Sequence, residues 1–493
     1  MKTIEFTSLL PGVTPETVYT WHSQPGAFKR LTPPWERVEV SGDPPLAQGA
    51  VWRFRVALDP WGLFWLSWVA DIECVAPPHL FVDTQRPFQG PFAAWRHEHR
   101  FTEASQQPET TQATDKIAYS VLPVAFGLFA TIANRLGSGI VEAKLRRLFR
   151  YRHAVLRDDM KLFSMRGKDV SPMQMASPQA SAADQKNAQS LNILVSGASG
   201  LVGSALVPFL CTAGHSVTQL SHSLRGSQTS EGVPSIHWDP ETADLDAAKL
   251  EGFDAVIHLA GENLATQRWT PEVKARIRDS RIQGTTLLCQ TLASLKNPPK
   301  TLICASAIGY YGNQGETLLT EVSEGATDFL GMLCRNWEKT TDIARDAGIR
   351  VVNLRIGVVL SPKGGALAKM LPPFLMGAGG PMGHGKQWMS WVAVDDVVGA
   401  IHHVLVRDAI RGPINVVAPH PERNKAFSQT LGKVLFRPAF APIPALAMKL
   451  MFGEMADTLM LSSTRVSPVR LLETGYQFRY PKLEEALRHV LGK

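Results

Sequence analysis

A chain of 493 residues has room for two or three domains, and its 44% hydrophobic content supplies real cores, which excludes a globally disordered protein. The formal net charge of +7 comes without a long Lys/Arg block, so an anionic small ligand fits and a nucleic-acid tail does not. Five scattered cysteines, Cys74, Cys211, Cys289, Cys304 and Cys334, lack metal-ligand spacing and read as reduced thiols. The opening MKTIEFTSLLPG has no signal-peptide core, and the longest apolar run, Val121 to Ala133, is too short to cross a bilayer. The expectation is a soluble cytoplasmic protein with no membrane span, no nucleic acid and no metal.

Residues 1–158 read as one α+β domain. Lys2 to Leu10 suits a strand, and Pro15 to Arg30 a helix with Trp21 and Phe28 inward. Trp52, Phe54, Val56 and Leu58 alternate on one strand face, and similar stretches follow at 64–75, 79–86, 94–102 and 112–120. Helical spacing returns at 138–157. Residues 159–190, rich in Ser, Ala, Gln and Pro, read as a linker. From Leu191 to about 420, short apolar runs alternate with helical patterns, the βαβ organisation of a parallel sheet. Residues 421–493 are mostly helical.

The strongest local signal is GASGLVG, which follows the apolar run LNILV and opens a helix over Leu201 to Leu210. Gly197 permits the tight turn, Gly200 lets a pyrophosphate approach the backbone, and Gly203 allows close helix–strand packing. Amides at the helix start then face the phosphates. Expected cofactor contacts are therefore Gly197, Ser199, Gly200, Leu201, Val202 and Gly203. The second strand ends in Ser221, His222, Ser223, Leu224 and Arg225, without the carboxylate that would bind ribose hydroxyls. Arg225, helped by Ser221, suits a 2′-phosphate, which favours NADP(H); an exposed loop arginine is the bland alternative. Leu259, Ala260 and Gly261 of HLAGENL would let the backbone lie close to the cofactor.

These tracts, with SAIGYYG, RNWE, LRIGVVLSPKGGALAKMLPPF, GGPMGHGKQWMSWVAVDDVV and GYQFRYPKLEEAL, resemble the extended short-chain dehydrogenase/reductase superfamily. Within it the match is to the atypical epimerase-family group called SDR39U-type or cell-division-inhibitor-like. The resemblance covers about residues 191–490 and implies a Rossmann domain followed by a small C-terminal domain of the DUF1731 kind. Separately, WHSQPGAFKRLTPPW at 21–35 resembles the START-like, helix-grip (SRPBCC) superfamily, which implies an apolar cavity between a curved sheet and a long helix. The residues themselves leave an open cavity and a filled core as equal alternatives.

The superfamily's Tyr and Lys, four residues apart on one helix, correspond here to Cys334 and Glu338. The spacing survives but the chemistry does not, since a carboxylate disfavours a thiolate. Glu338 remains a candidate partner for cofactor hydroxyls, and Ser306 and Tyr311 are the candidate proton carriers nearby. Arg268, Trp269, Lys386, Gln387 and Trp388 are candidate substrate-pocket residues. Asp395 and Asp396 read as helix N-terminal residues that cap or complement the dipole. The expected function is an NADP(H)-dependent oxidoreductase acting on a small carbonyl compound, with a first domain that holds an apolar ligand or docks a protein partner. A non-catalytic cofactor-bound scaffold and an NAD-dependent sugar-nucleotide epimerase are the alternatives.

Overall fold

The computed structural model describes residues 1–42, 44–57, 63–105, 107–121, 127–166, 190–222, 233–265 and 267–493, with backbone only at 127–138 and 164–166. The first domain is a seven-stranded antiparallel sheet. Its strands are β1 (Lys2–Pro11), β2 (Val38–Ser41), β3 (Val51–Ala57), β4 (Trp65–Ala76), β5 (Leu80–Gln85), β6 (Ala94–Glu103) and β7 (Thr110–Ser120), in spatial order β1-β7-β6-β5-β4-β3-β2. Helices α1 (Pro15–Ser23) and α2 (Ala27–Leu31) pack at one end, and the 40-residue α3 (Gly127–Arg166) lies against the sheet. The expected single helix over 15–30 is thus broken. Pro25 disfavours helical geometry at Gln24, which turns extended (ψ 148°), and Gly26 takes φ +81°. Helix α3 runs past the expected boundary at 158, because Asp159 and Met160 are buried rather than solvated. The remainder of the expected linker, 167–189, lies outside the described residues.

The second sheet is built on β8 (Asn192–Ser196), β9 (Ser216–Ser221), β10 (Ser235–Asp239), β11 (Asp244–Leu245), β12 (Ala255–His258), β13 (Thr301–Ala307), β14 (Arg350–Ile356) and β15 (Gly412–Val416). Its order is β11-β10-β9-β8-β12-β13-β14-β15, all parallel except β11. Strands buried on both faces sort their side chains by parity. Ile193, Val195, Ile257 and Val352 pack on α4 (Gly203–Thr212) and, further along the chain, α7 (Val394–Leu405). Leu194, Val256, Leu302 and Val351 instead meet α5 (Pro271–Ser294). Between these, α6 (Phe329–Thr340) starts where Asp328 Oδ1 accepts the Gly331 amide at 2.8 Å. The C-terminal segment is mostly helical and ends in α8 (Leu483–Leu491). No helix among the described residues is long and apolar enough to cross a membrane.

A buried charge cluster joins the domains. The guanidinium of Arg30 donates to both oxygens of Asp159 (2.9 and 2.8 Å) and to Asp395 at 2.8 Å. Arg479 also reaches Asp159, at 3.1 Å, and His489 reaches Asp395 at 3.0 Å. Asp396 accepts from the amides of Arg479 and Tyr480 and from the Tyr476 hydroxyl. The aspartate pair at the start of α7 therefore ties three parts of the chain together, beyond the dipole role expected of it.

Candidate functional site

The sheet reverses its winding between β8 and β12, the switch point where open α/β sheets bind ligands. Here the chain turns from β8 into α4, and each glycine has its own steric reason. Gly197 has φ +68°, and a Cβ on it would stand 2.7 Å from the Leu259 carbonyl carbon and 2.8 Å from the Ala260 nitrogen. A Cβ on Gly203 would stand 2.2 Å from Gly197 O, so only glycine brings the helix this near the strand. A Cβ on Gly200 would stand 3.2 Å from Gly197 O, a tight contact, with no other described atom within 4 Å. The result is a bare-backbone cradle at the amino end of a helix, whose first amides have no partners within the helix.

A buried chain of hydrogen bonds supports this cradle. Ser196 Oγ accepts the Leu259 amide (3.2 Å) and lies 2.6 Å from His258 Nδ1. His258 Nε2 lies 3.0 Å from Thr285 Oγ1, which also accepts from Trp337 Nε1 at 2.8 Å. Burial pushes His258 down to about 4, so it is neutral near pH 7 and acts as a spacer between strands. Gly261 leaves room for Arg281, whose guanidinium donates to Ile277 O and Glu262 O and lies over Trp337. Arg278 faces solvent beside Asp279. Ser221 closes β9; Arg225 lies outside the described residues.

Further along the same sheet, parallel register places Ser306 of β13, Arg355 of β14 and Asn415 of β15 in one row. Glu338 of α6 meets that row. Its carboxylate accepts from Ser306 Oγ at 2.6 Å and from Arg355 twice, at 2.9 and 2.8 Å. Arg355 Nη1 donates to the Tyr311 hydroxyl (2.9 Å), which donates to Asn415 Oδ1 (2.7 Å). Burial opposes the charge on Arg355, but Glu338 outweighs it and keeps the guanidinium firmly protonated. Burial pushes the Tyr311 phenol up to about 12. The Cys334 thiol is also pushed up to about 12, by burial first and Glu338 second. Ser306 and Glu338 are thus brought together, and Ser306, Tyr311 and Cys334 are all buried (4%, 0% and 4% exposed).

The remaining candidates fall on two separate patches. Trp269 is buried, donates to Leu264 O at 2.8 Å and packs edge-on to Phe329, with Arg268 beside Gly453. Gln387 is buried and bonds Met382 O and Met460 O, while Lys386 is exposed. Trp388 donates to Glu316 and has the guanidiniums of Arg423 and Arg465 within 4.6 Å of its ring. Sequence reasoning missed Arg355 and Asn415. The available signal was a cation inside VVNLRIGVV, a run otherwise suited to a strand buried on both faces.

A second concavity lies in the first domain. It is a cavity of about 370 Å³ between the sheet and α3, walled by Phe28, Trp52, Phe54, Trp68, Leu145 and Phe149 among others.

Comparison with known proteins agrees with this architecture. Residues 193–417 match the NAD dependent epimerase/dehydratase family, and residues 443–490 match a domain of unknown function, DUF1731. An epimerase family protein of Mycobacterium bovis, Mb2239, is 39% identical over 298 residues, covering 60% of this chain and 97% of the relative. The crystal structure of the nucleoside-diphosphate sugar epimerase from Corynebacterium glutamicum is 31% identical, with a TM-score of 0.73. That match spans 99% of this chain, first domain included, and 90% of the other. Human epimerase family protein SDR39U1, solved with NADPH, is 35% identical over 61% of this chain and 99% of its own, with a TM-score of 0.56.

Proposed function

The chain belongs to the NAD dependent epimerase/dehydratase family, and from that premise we propose an NADP(H)-dependent oxidoreductase acting on a small carbonyl substrate, joined to a START-like domain that holds an apolar ligand. The observation that carries the first part is the bare-backbone cradle at Gly197, Gly200 and Gly203, with no described side chain within 4 Å of a Cβ placed on Gly200. Gly197, Ser199, Gly200, Leu201, Val202 and Gly203 would hold the pyrophosphate on backbone amides and helix dipole, with Leu259, Ala260 and Gly261 as the facing wall. The bound nicotinamide would supply hydride chemistry. Ser221 and Arg225, with no carboxylate among residues 221–225, support a 2′-phosphate, as does the NADPH in the human relative. Ser306 Oγ would pass the proton between a substrate oxygen and the Glu338 carboxylate, which Arg355 orients, taking the place of the superfamily's phenol and lysine. The aromatic cavity supports the apolar-ligand role of the first domain.

The test is calorimetry with NADPH and NADH, followed by a carbonyl-reduction screen. Tighter NADPH binding and turnover that vanishes in Gly200→Val sustain the reading. Binding without turnover across the screen points to a cofactor-bound scaffold. The Corynebacterium match favours a second reading, sugar-nucleotide epimerisation. That reading requires NAD selectivity and interconversion of a nucleotide sugar.

A further inference from the structure

The polar face of the first-domain cavity carries side chains that the proposed redox site does not use. Alternation along β5, β6 and β7 puts Asp83, His97, His99 and Asp115 on one sheet face, with Asp83 paired to His97 and His99 paired to Asp115 in the strand register. Asp83, His97 and His99 all line the cavity. The two imidazoles stand 3.8 Å apart, centroid to centroid, and each spans the same pair of carboxylates. His97 Nδ1 and His99 Nε2 face Asp83 at 3.1 and 3.5 Å. His97 Nε2 and His99 Nδ1 face Asp115 at 3.1 and 2.7 Å. Asp115 also lies 3.0 Å from His153 Nε2, and the other nitrogen of that ring is held by Ser8 Oγ at 2.8 Å.

We propose that Asp83, His97 and His99 form a divalent transition-metal site, two imidazoles and one carboxylate, on the wall of this cavity. Asp115 takes the outer N–H of His97 in hydrogen-bond geometry, so the inner nitrogen of that ring turns a bare lone pair toward Asp83, while His99 Nδ1 stands 2.7 Å from Asp115 without such a bond. That is the carboxylate–histidine–metal arrangement by which outer carboxylates fix ligand tautomers. Donors sharing a tetrahedral zinc at about 2.0–2.1 Å stand about 3.3 Å apart. The observed 3.1 and 3.5 Å bracket that value, and 3.5 Å is too long for a good hydrogen bond. All three ligand atoms lie within 4.8 Å of one another. Three protein donors leave a coordination position for an oxygen on the occupant of the cavity. Buried N–H groups without hydrogen-bond partners also point to such an occupant: Arg152 Nε, Trp52 Nε1 and Trp68 Nε1 belong to residues lining the same cavity. The ligand class is therefore an apolar molecule with one oxygen-bearing, anionic end, held between the metal and Arg152.

The experiment uses the full-length protein, stripped with chelator and reloaded with Co²⁺ or Zn²⁺. Metal per chain is measured by plasma emission, and Co²⁺ coordination by visible ligand-field bands. One ion per chain with tetrahedral-type bands is expected. It should be lost in Asp83→Asn and His97→Asn and kept in His384→Ala, which removes an exposed histidine. Asp115→Asn should weaken binding about 10–100-fold without abolishing it. Near-ultraviolet circular dichroism checks the fold of each variant. Should Asp83→Asn misfold, the wild-type cobalt spectrum decides, and no bands above those of free cobalt overturns the site. Binding unaffected by Asp83→Asn overturns it equally. Neither readout involves a dinucleotide or an apolar ligand, so the result stands apart from the redox reading.

Discussion

Replacing Arg30 by Met tests whether the two domains are held by a buried charge cluster. The side chain of Arg30 is 4% exposed, and those of its partners Asp159 and Asp395 are 0% and 3% exposed. Methionine keeps much of the stem's packing but removes three charge-assisted hydrogen bonds. Taking one member from a buried pair costs about 3–5 kcal/mol, mostly because a charge is left without its partner. Here Asp159 retains Arg479 and Asp395 retains His489, which places the loss near the lower end, about 3 kcal/mol. At about 2–4 °C per kcal/mol for domains of this size, the melting midpoint should fall by about 6–12 °C. Adding Asp395→Asn to Arg30→Met should recover part of that loss, because the stranded charge goes with it. Differential scanning calorimetry reads both variants. A midpoint within about 1 °C of wild type for Arg30→Met, or losses that simply add in the double variant, would refute the reasoning.

Gly200→Val should weaken dinucleotide binding about 100-fold or more, since its side chain enters the proposed phosphate space, with a smaller loss of stability from the 3.2 Å approach of its Cβ to Gly197 O; calorimetric titration and thermal melts separate the two effects. Gly203→Ala should instead lower stability by about 3 kcal/mol, because its Cβ meets Gly197 O within the protein. Ser306→Ala should reduce kcat by about 100-fold or more with little change in dinucleotide affinity, and equal losses in both would remove the proton role. Acid should destabilise the protein through His258. The unfolded chain gains a proton as pH falls through about 6.5, whereas the folded imidazole waits until about 4. That contribution is present above pH 6.5 and is lost, by roughly 3 kcal/mol, by about pH 4. In His258→Gln the slope over this window should flatten in pH-resolved thermal melts, and an unchanged slope would rule the mechanism out.

The glycine turn between β8 and α4 was legible because its logic is local. Three glycines between an apolar strand and a helix have few other uses, and each occupies the steric position its spacing implied. The strands of the first domain were legible for the same reason, through two-residue alternation. What escaped depends on sheet order. Nothing in sequence says that Ser306, Arg355 and Asn415 stand side by side, because the separations between them vanish only when β13, β14 and β15 pair. Asp159 looked like the solvated start of a linker, yet it is buried against arginines from opposite ends of the chain. The histidines of AWRHEHRF carried a usable sign: alternate placement on one strand aims both rings at one face. Their acidic partners came from two other strands and stayed invisible.

Helix α3 belongs to both halves of the molecule. Leu145, Phe149 and Arg152 face the cavity, while Asp159 lies two turns further on, about 10 Å along the axis, at the cluster that grips Arg30. Arg30 also meets Asp395 at the start of α7, beside Leu201 and Ser204 where α4 begins. Were both proposed sites filled, this one helix and the arginine it grips would lie against each of them. Any coupling between two such guests would have to be equal in both directions: whatever factor one imposed on the other's affinity, it would receive in return.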